Sequence, residues 1–375
     1  EATVREKLGQ SCELPVADAR KAILQLEDEH GMRRQWAWAR LGHSPMAELL
    51  EPLGRLAAAT ESVIGGATPD DAAAIYAERG WIADAAAWEA VSAAPTGDVE
   101  LAGKVVRHLL CPWLDESARA FQEATSRHPL PRAGDQPLVS ASDDCCILFT
   151  DGLRYDLGRR LCDRLESRGC RTTLSDRWSA TPTVTATAKP AVTPVAGDIA
   201  GENLGEDFYP MHKPTGKQPG AQLLRDSMKS RGYQILDNGT LDFPDSHPAR
   251  GWSEAGSIDE LGHKLDIRMA HQIDAELDQL ADRVVKLLDA GWKSVRVVTD
   301  HGWLLLPGGL PKVDLPKHLT ASRWARCAVI AGAASPDIPR SPWHWNPSET
   351  FATAPGVHCF NKSPEYAHGG LSLQE

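Results

Sequence analysis

Two short apolar runs that each stop at an acid constrain this chain more than any other feature. Cys145-Cys146-Ile147-Leu148-Phe149 leads into Thr150-Asp151-Gly152, and the strand pattern at 295–299, apolar at its valines and interrupted by Arg296, leads into Asp300-His301-Gly302. A short apolar run bounded by polar residues predicts a buried strand. Further strands are expected at 170–174, 234–236 and 327–330, and helical spacing separates several of them, at 153–167 and 264–288. Strands that alternate with helices predict a mostly parallel sheet with helices on both faces, an α/β fold in three α/β/α layers.

The first part of the chain reads differently. Apolar residues recur at helical spacing over 15–26, 47–64, 70–76, 81–93 and 101–120, and nothing strand-like interrupts them. Thr68-Pro69-Asp70-Asp71 is a helix start, with a capping hydroxyl, Pro in the first turn and acids at the positive end of the dipole. Pro112 is expected to break or kink the last helix. His128-Pro129-Leu130-Pro131-Arg132-Ala133-Gly134-Asp135 reads as a linker. The expectation is therefore a helical domain over 1–135 and an α/β domain over 136–375. Residues 198–255, rich in Gly, Pro, Asp and Lys, are expected to form long loops over the ligand-binding edge.

At 375 residues there is room for both parts. A net charge of −11 does not suit a dedicated nucleic-acid binder, although bound divalent ions would change the local sign of a site. No apolar run is long enough to span a membrane. The eight cysteines show no C-x-x-C pair, and their scatter suits reduced thiols in a cytoplasmic protein. Both ends look cut, as in a piece of a longer protein.

Four segments and one loop carry the chemistry. Asp151 sits where a strand should end, the place where open α/β sheets collect ligands. A carboxylate there is a hard-cation ligand, though alone it reads as readily as a helix cap. Thr181-Pro182-Thr183-Val184-Thr185-Ala186-Thr187-Ala188-Lys189 is dense in hydroxyls and then turns helical, an arrangement suited to a nucleophile beside phosphoryl oxygens. Taken alone it reads more readily as a Thr/Pro-rich turn. Asp259 and His263, four apart, share one face of a helical turn, and Gly262 between them is expected to allow close access. Asp300 and His301 follow a strand in succession, and His368 lies among glycines in Tyr366-Ala367-His368-Gly369-Gly370. Together these are six candidate ligands, three for each of two ions. Two ions about 4 Å apart suit an in-line phosphoryl displacement.

That ordered series resembles the alkaline-phosphatase superfamily, and more narrowly the PglZ domain associated with bacterial BREX phage defence and also found fused to response regulators. The resemblance covers roughly residues 140–375. It is carried by Asp151-Gly152-Leu153-Arg154-Tyr155, Pro182-Thr183-Val184-Thr185, Asp300-His301-Gly302 and His368-Gly369-Gly370-Leu371-Ser372-Leu373-Gln374-Glu375. It implies a sandwich of alkaline-phosphatase type and a metal-dependent phosphohydrolase, above all a phosphodiesterase or nuclease acting on nucleic acid or nucleotides. A phosphomonoesterase and a catalytically silent scaffold of a defence complex are the alternatives.

By the same resemblance Asp151, Asp300 and His301 hold one ion, and Asp259, His263 and His368 the other. Zn²⁺ suits the set best, with Mn²⁺ or Mg²⁺ as alternatives. Thr185 is the implied nucleophile, with Thr183 and Thr187 as fallbacks. The similar phosphodiesterases follow their nucleophile with Phe-Pro-Asn, where this chain has Ala186-Thr187-Ala188. Lys189 stands in as the expected charge on a phosphoryl oxygen. Other BREX proteins are expected partners, through the helical region of a protein in the bacterial cytoplasm.

Overall fold

The computed structural model describes residues 1–237, 239–243, 248–315, 320–321, 324–330 and 338–375. The first part is helical throughout: α1 (Ala2–Ser11), α2 (Val16–His30), α3 (Ala37–Arg40), α4 (Pro45–Ala59), α5 (Pro69–Ile75), α6 (Trp81–Ala93) and α7 (Val99–Arg127). The α5 start is the one its sequence predicts. Thr68 accepts from the Asp71 N–H, and the Asp71 side chain accepts from the Thr68 N–H, so two orphan donors are satisfied. The break expected at Pro112 does not occur, since α7 runs through it. Leu109, Leu110, Trp113 and Leu114 around it are all buried, and that packing outweighs a proline penalty of about 3 kcal/mol.

The second part is built on a four-stranded sheet of β1 (Cys145–Phe149), β2 (Gln234–Leu236), β3 (Arg250–Glu254) and β4 (Ser294–Val298). The order is β2-β3-β1-β4 and every pairing is parallel. Between the strands lie α8 (Tyr155–Ser167), α9 (Thr185–Ala191), α10 (Ala221–Ser230), α11 (Ile258–Leu265) and α12 (Ile273–Asp289). Strand β1 is buried along its whole length. Leu148 joins a core made with α4, α6, α7, α8 and α12, while Ile147 and Phe149 join a second core with Ala186, Leu224, Met228 and Phe351. The chain is thus mixed α/β, with a parallel sheet covered on both faces and an all-helical region before it. One of these cores is built jointly by the helical region and one face of the sheet.

Several expectations need correction. Residues 170–174 form no strand and lie mostly exposed. The strand at Cys327–Ile330 exists, but in a separate antiparallel sheet with Thr320–Ala321, Arg340–Trp343 and Asn346–Thr353. The helical stretch over 264–288 is interrupted, because Asp266 has φ +49° and a 3₁₀ turn follows before α12. The 198–255 region holds α10, β3 and a two-stranded sheet of Ile199–Ala200 with Met211–His212 where loops were expected. Its positions 238 and 244–247 lie outside the described residues. No helix among the described residues is long and apolar enough to cross a membrane.

A candidate metal centre at the carboxyl edge of the sheet

Strand register places the first ligands. Phe149 of β1 is opposite Val298 of β4. Asp151 and Asp300 each lie two residues beyond, so two neighbouring parallel strands deliver two carboxylates to one edge. On the other side of β1, Phe149 is opposite Glu254, which ends β3 at the same edge. Gly152 has φ +71°, and a Cβ there would come within 3.1 Å of the Asp259 Cβ, so the turn after Asp151 lets α11 approach closely.

Helix α11 supplies Asp259 in its first turn and His263 one turn later, with His263 Nε2 at 3.6 Å from Asp259 Oδ2. His368 Nε2 lies 3.1 Å from His263 Nε2 and 3.4 Å from Asp259 Oδ1. His301 Nε2 lies 3.4 Å from Asp151 Oδ1 and 3.9 Å from Asp300 Oδ2. The imidazoles of His301 and His368 stack, with centroids 4.1 Å apart. Two sets of donor atoms fall within 4.8 Å of one another: Asp259, His263 and His368, and Asp151, Asp259 and His301. Asp259 is common to both sets, so it sits between the two positions and does not belong to one alone. Asp300 belongs to neither set; its Oδ1 accepts the His301 N–H, and its Oδ2 lies 3.9 Å from His301 Nε2.

The donor chemistry fits a cation. Asp151 Oδ1 and Asp300 Oδ2 are buried with no hydrogen-bond partner among the described residues, which is costly for carboxylates. His301 Nδ1 lies 3.0 Å from the Gly302 carbonyl and His368 Nδ1 lies 2.8 Å from the Thr183 carbonyl. A main-chain carbonyl is only an acceptor, so each Nδ1 carries the proton and each Nε2 presents a lone pair to the cluster. These buried carboxylate and imidazole groups can hold a metal ion.

The electrostatics carry the same signature. Burial raises the Asp151 carboxyl to about 7, and the charge of Asp300 adds to it. Burial also raises Asp300. Burial disfavours the charged form of His301, but Asp300, Asp151 and Asp259 together carry its pKa upward. Burial, with His301 alongside, pushes His368 down to about 3. Burial would raise Asp259 too, but His368, His301 and His263 outweigh it and hold it below the usual carboxylate range. Two carboxyls driven up, a third held down, one imidazole raised and one lowered mark a buried, mutually coupled group of titratable side chains, the pattern that gathers at functional sites.

Searches against protein-family models and against curated protein sequences found no match to this chain.

Three hydroxyls competed for the nucleophile's place, and the structure treats them differently. Thr185 opens α9, and its Oγ1 lies 3.3 Å from His301 Nε2. Thr183 Oγ1 accepts the Gly369 N–H and donates to the Gly370 carbonyl. Thr187 Oγ1 donates to the Phe208 carbonyl and accepts the Trp343 Nε1–H. Thr183 and Thr187 are buried and engaged in the scaffold. Of the three, only Thr185 addresses the ligand cluster.

Lys189, one turn on from Thr185, has a partner that its sequence did not announce. Its Nζ donates to Glu254 Oε2 at 2.8 Å and lies 4.3 Å from the centre of the Phe149 ring. Arg225 and Trp252 donate to the other oxygen of Glu254. Burial alone would raise Glu254, but those hydrogen bonds and the Lys189 charge bring it down to about 2. Lys189 thus stands at the edge of the cluster with its charge already matched. Gly262 also differs from expectation, since the space beside it is taken by the Tyr366 ring and not by a ligand.

Tyr366 was missed in the sequence. Its hydroxyl donates to Asp259 Oδ1 at 2.8 Å. It stands two residues before His368 on an extended segment, and that period of two was the available signal. Tyr366→Phe is expected to weaken divalent-metal binding by about 10–100-fold, the usual range for a residue that orients a ligand. Calorimetric titration of metal-free protein measures it, and an unchanged dissociation constant would remove Tyr366 from the site.

Proposed function

We propose that this chain is a divalent-metal-dependent phosphoester hydrolase of the PglZ type, within the alkaline-phosphatase superfamily. On this reading the layered α/β part is a sandwich of alkaline-phosphatase type. The substrate is a phosphodiester in nucleic acid or a nucleotide, and the setting is bacterial phage defence. The observation that carries the reading is the Thr185 hydroxyl at 3.3 Å from His301 Nε2, beside two donor sets joined through Asp259.

Asp151, Asp259, Asp300, His263, His301 and His368 would hold two ions, with the all-oxygen-and-nitrogen set favouring Zn²⁺ or Mn²⁺. Bound there, such ions supply positive charge against phosphoryl oxygens and depress the pKa of a neighbouring hydroxyl. The chain's own groups do the rest. Main-chain carbonyls of Gly302 and Thr183 fix the two imidazoles, and Tyr366 fixes Asp259. Thr185 presents Oγ1 to phosphorus, forms the new P–O bond as the ester oxygen departs, and is freed when water cleaves that bond.

A chromogenic phosphodiester and the matching monoester, assayed side by side with and without chelator, test this. Diester turnover that needs Zn²⁺ or Mn²⁺ and stops with chelator is expected. Preference for the monoester would replace the phosphodiesterase with a phosphatase. Turnover of neither, with metal bound, would overturn the hydrolase in favour of a silent scaffold.

A further inference from the structure

A second buried cluster of charge lies behind the ligands, and the reaction above makes no use of it. Arg154, Asp84 and Asp156 are only 2–3% exposed. Arg154 grips Asp156 with two parallel bonds, Nε to Oδ1 at 2.6 Å and Nη2 to Oδ2 at 2.8 Å. Its Nη1 lies 3.8 Å from Asp84 Oδ1, and Asp84 belongs to α6 of the helical region. Further donors to the acids come from the helical region and from the C-terminal segment. Tyr76 and Gln374 donate to Asp84 Oδ2, and Trp88 Nε1 donates to Asp156 Oδ2.

On its other side the cluster reaches both ligand-bearing turns. The Arg154 guanidinium sits 3.8 Å over the Trp303 ring, and its Nη1 donates to the Trp303 carbonyl. Trp303 follows Asp300-His301-Gly302 directly, and its Nε1–H donates to the Gly152 carbonyl, one residue after Asp151. The Trp303 ring also packs on Tyr366, with centroids 5.4 Å apart, and Tyr366 holds Asp259. One guanidinium therefore bonds the segment that carries Asp300 and His301, reaches the turn after Asp151 through Trp303, and reaches Asp259 through Trp303 and Tyr366 in series.

Buried ion clusters add little net stability, because desolvation consumes most of the Coulomb gain and apolar residues of like volume serve as well. What a fully bonded cluster adds is a single geometry. We propose that the Asp84–Arg154–Asp156 cluster is a brace through which the helical region sets the ligand geometry of the metal site, with Arg154 as its positioning residue. The proposal rests on the metal site described above. It makes helix α6 part of the site's frame.

Metal binding without substrate tests it. Metal-free protein is titrated with Co²⁺, whose visible absorption reports coordination geometry. Arg154→Met is expected to weaken Co²⁺ binding by about 10–100-fold and to alter the spectrum, with Arg154→Lys, which keeps charge but loses the fork, falling between. Trp88→Phe and Tyr76→Phe each remove one donor and no charge. They keep the test open if the Arg154 variants do not fold, and about a threefold weakening is expected. A lower melting temperature with unchanged Co²⁺ affinity and spectrum would overturn the brace and leave the cluster purely structural. Wild-type protein that takes up no Co²⁺ would overturn the metal site itself, and the brace's effect with it.

Discussion

Thr185→Ala is expected to cut metal-dependent phosphodiester hydrolysis by at least about 10³-fold, with the fold and metal affinity kept. The expectation follows from what each hydroxyl is bonded to. Thr185 Oγ1 has the His301 imidazole as its neighbour and no main-chain carbonyl to satisfy. Removing it leaves no orphaned donor in the core, so the loss should fall on turnover and not on stability. Thr183→Val and Thr187→Val make the contrast. Each breaks two buried hydrogen bonds, with Gly369 and Gly370 or with Phe208 and Trp343, at about 1–3 kcal/mol for partners left unsatisfied. Those variants should melt earlier and retain activity per folded molecule. Thr185→Ser keeps the oxygen and should keep measurable turnover. The assay is initial rate against the chromogenic diester at saturating metal, normalised to folded protein by circular dichroism. Full activity in Thr185→Ala would move the nucleophile elsewhere, and loss in Thr187→Val without loss of stability would move it two residues along the helix.

What could be read from the sequence was what depends on near neighbours. Asp151 and Asp300 were visible because an apolar run that ends in an acid reports both the strand and its exit point. Asp259 and His263 were visible because helical geometry puts residues four apart on one face. The fold class followed from the same alternation. Strand β3 was invisible because Arg250-Gly251-Trp252-Ser253-Glu254 is not an apolar run. Its sides are closed by packing, with Trp252 stacked on Phe149 and Gly251 against Trp292. Without β3 there was no reason to place Glu254 at the ligand edge, and so none to expect a partner for Lys189. The sharing of Asp259 between two donor sets is also a long-range fact. It depends on how closely α11 approaches Gly152, and nothing within a few residues of Asp259 encodes that. The choice among Thr183, Thr185 and Thr187 was open for the same reason, since it turns on Phe208, Trp343, His301 and the Gly369-Gly370 turn, all distant in sequence.

Asp300→Asn is expected to abolish tight metal binding and, at the same time, to stabilise the metal-free protein. Asp300 is buried, with Oδ2 unpartnered among the described residues, and both carboxyls are raised by burial, Asp151 further by the charge of Asp300 and Asp300 further by that of Asp259. Without a cation their charges repel in a poorly solvated space, the strain that a binding site accepts for its function. Removing one charge should add about 1–3 kcal/mol, seen as a rise of a few degrees in melting temperature at this chain length. The pH dependence follows from the same groups. An acid raised from 3.8 to about 7, as Asp151 is, binds more protons folded than unfolded between those values, so stability falls as pH rises through that window. A histidine raised above 6.5, as His301 is, likewise loses its stabilising contribution as pH rises through its folded pKa. His368, lowered to about 3, and His344, lowered to about 4, work the other way until their unfolded imidazoles have lost their protons, about one pH unit above 6.5. From pH 6.5 to 8 the contributions of Asp151 and His301 share one sign. The chelated wild type should therefore melt at progressively lower temperature over that range, Zn²⁺ should remove the slope, and Asp300→Asn should flatten it without Zn²⁺. Thermal melts at half-unit pH steps, with chelator and with Zn²⁺, decide the matter. A chelated wild type whose melting temperature does not change from pH 6.5 to 8 would mean that these carboxylates are not charged against one another, and a variant less stable than wild type would mean that Asp300 is held by the scaffold and not by a missing ion.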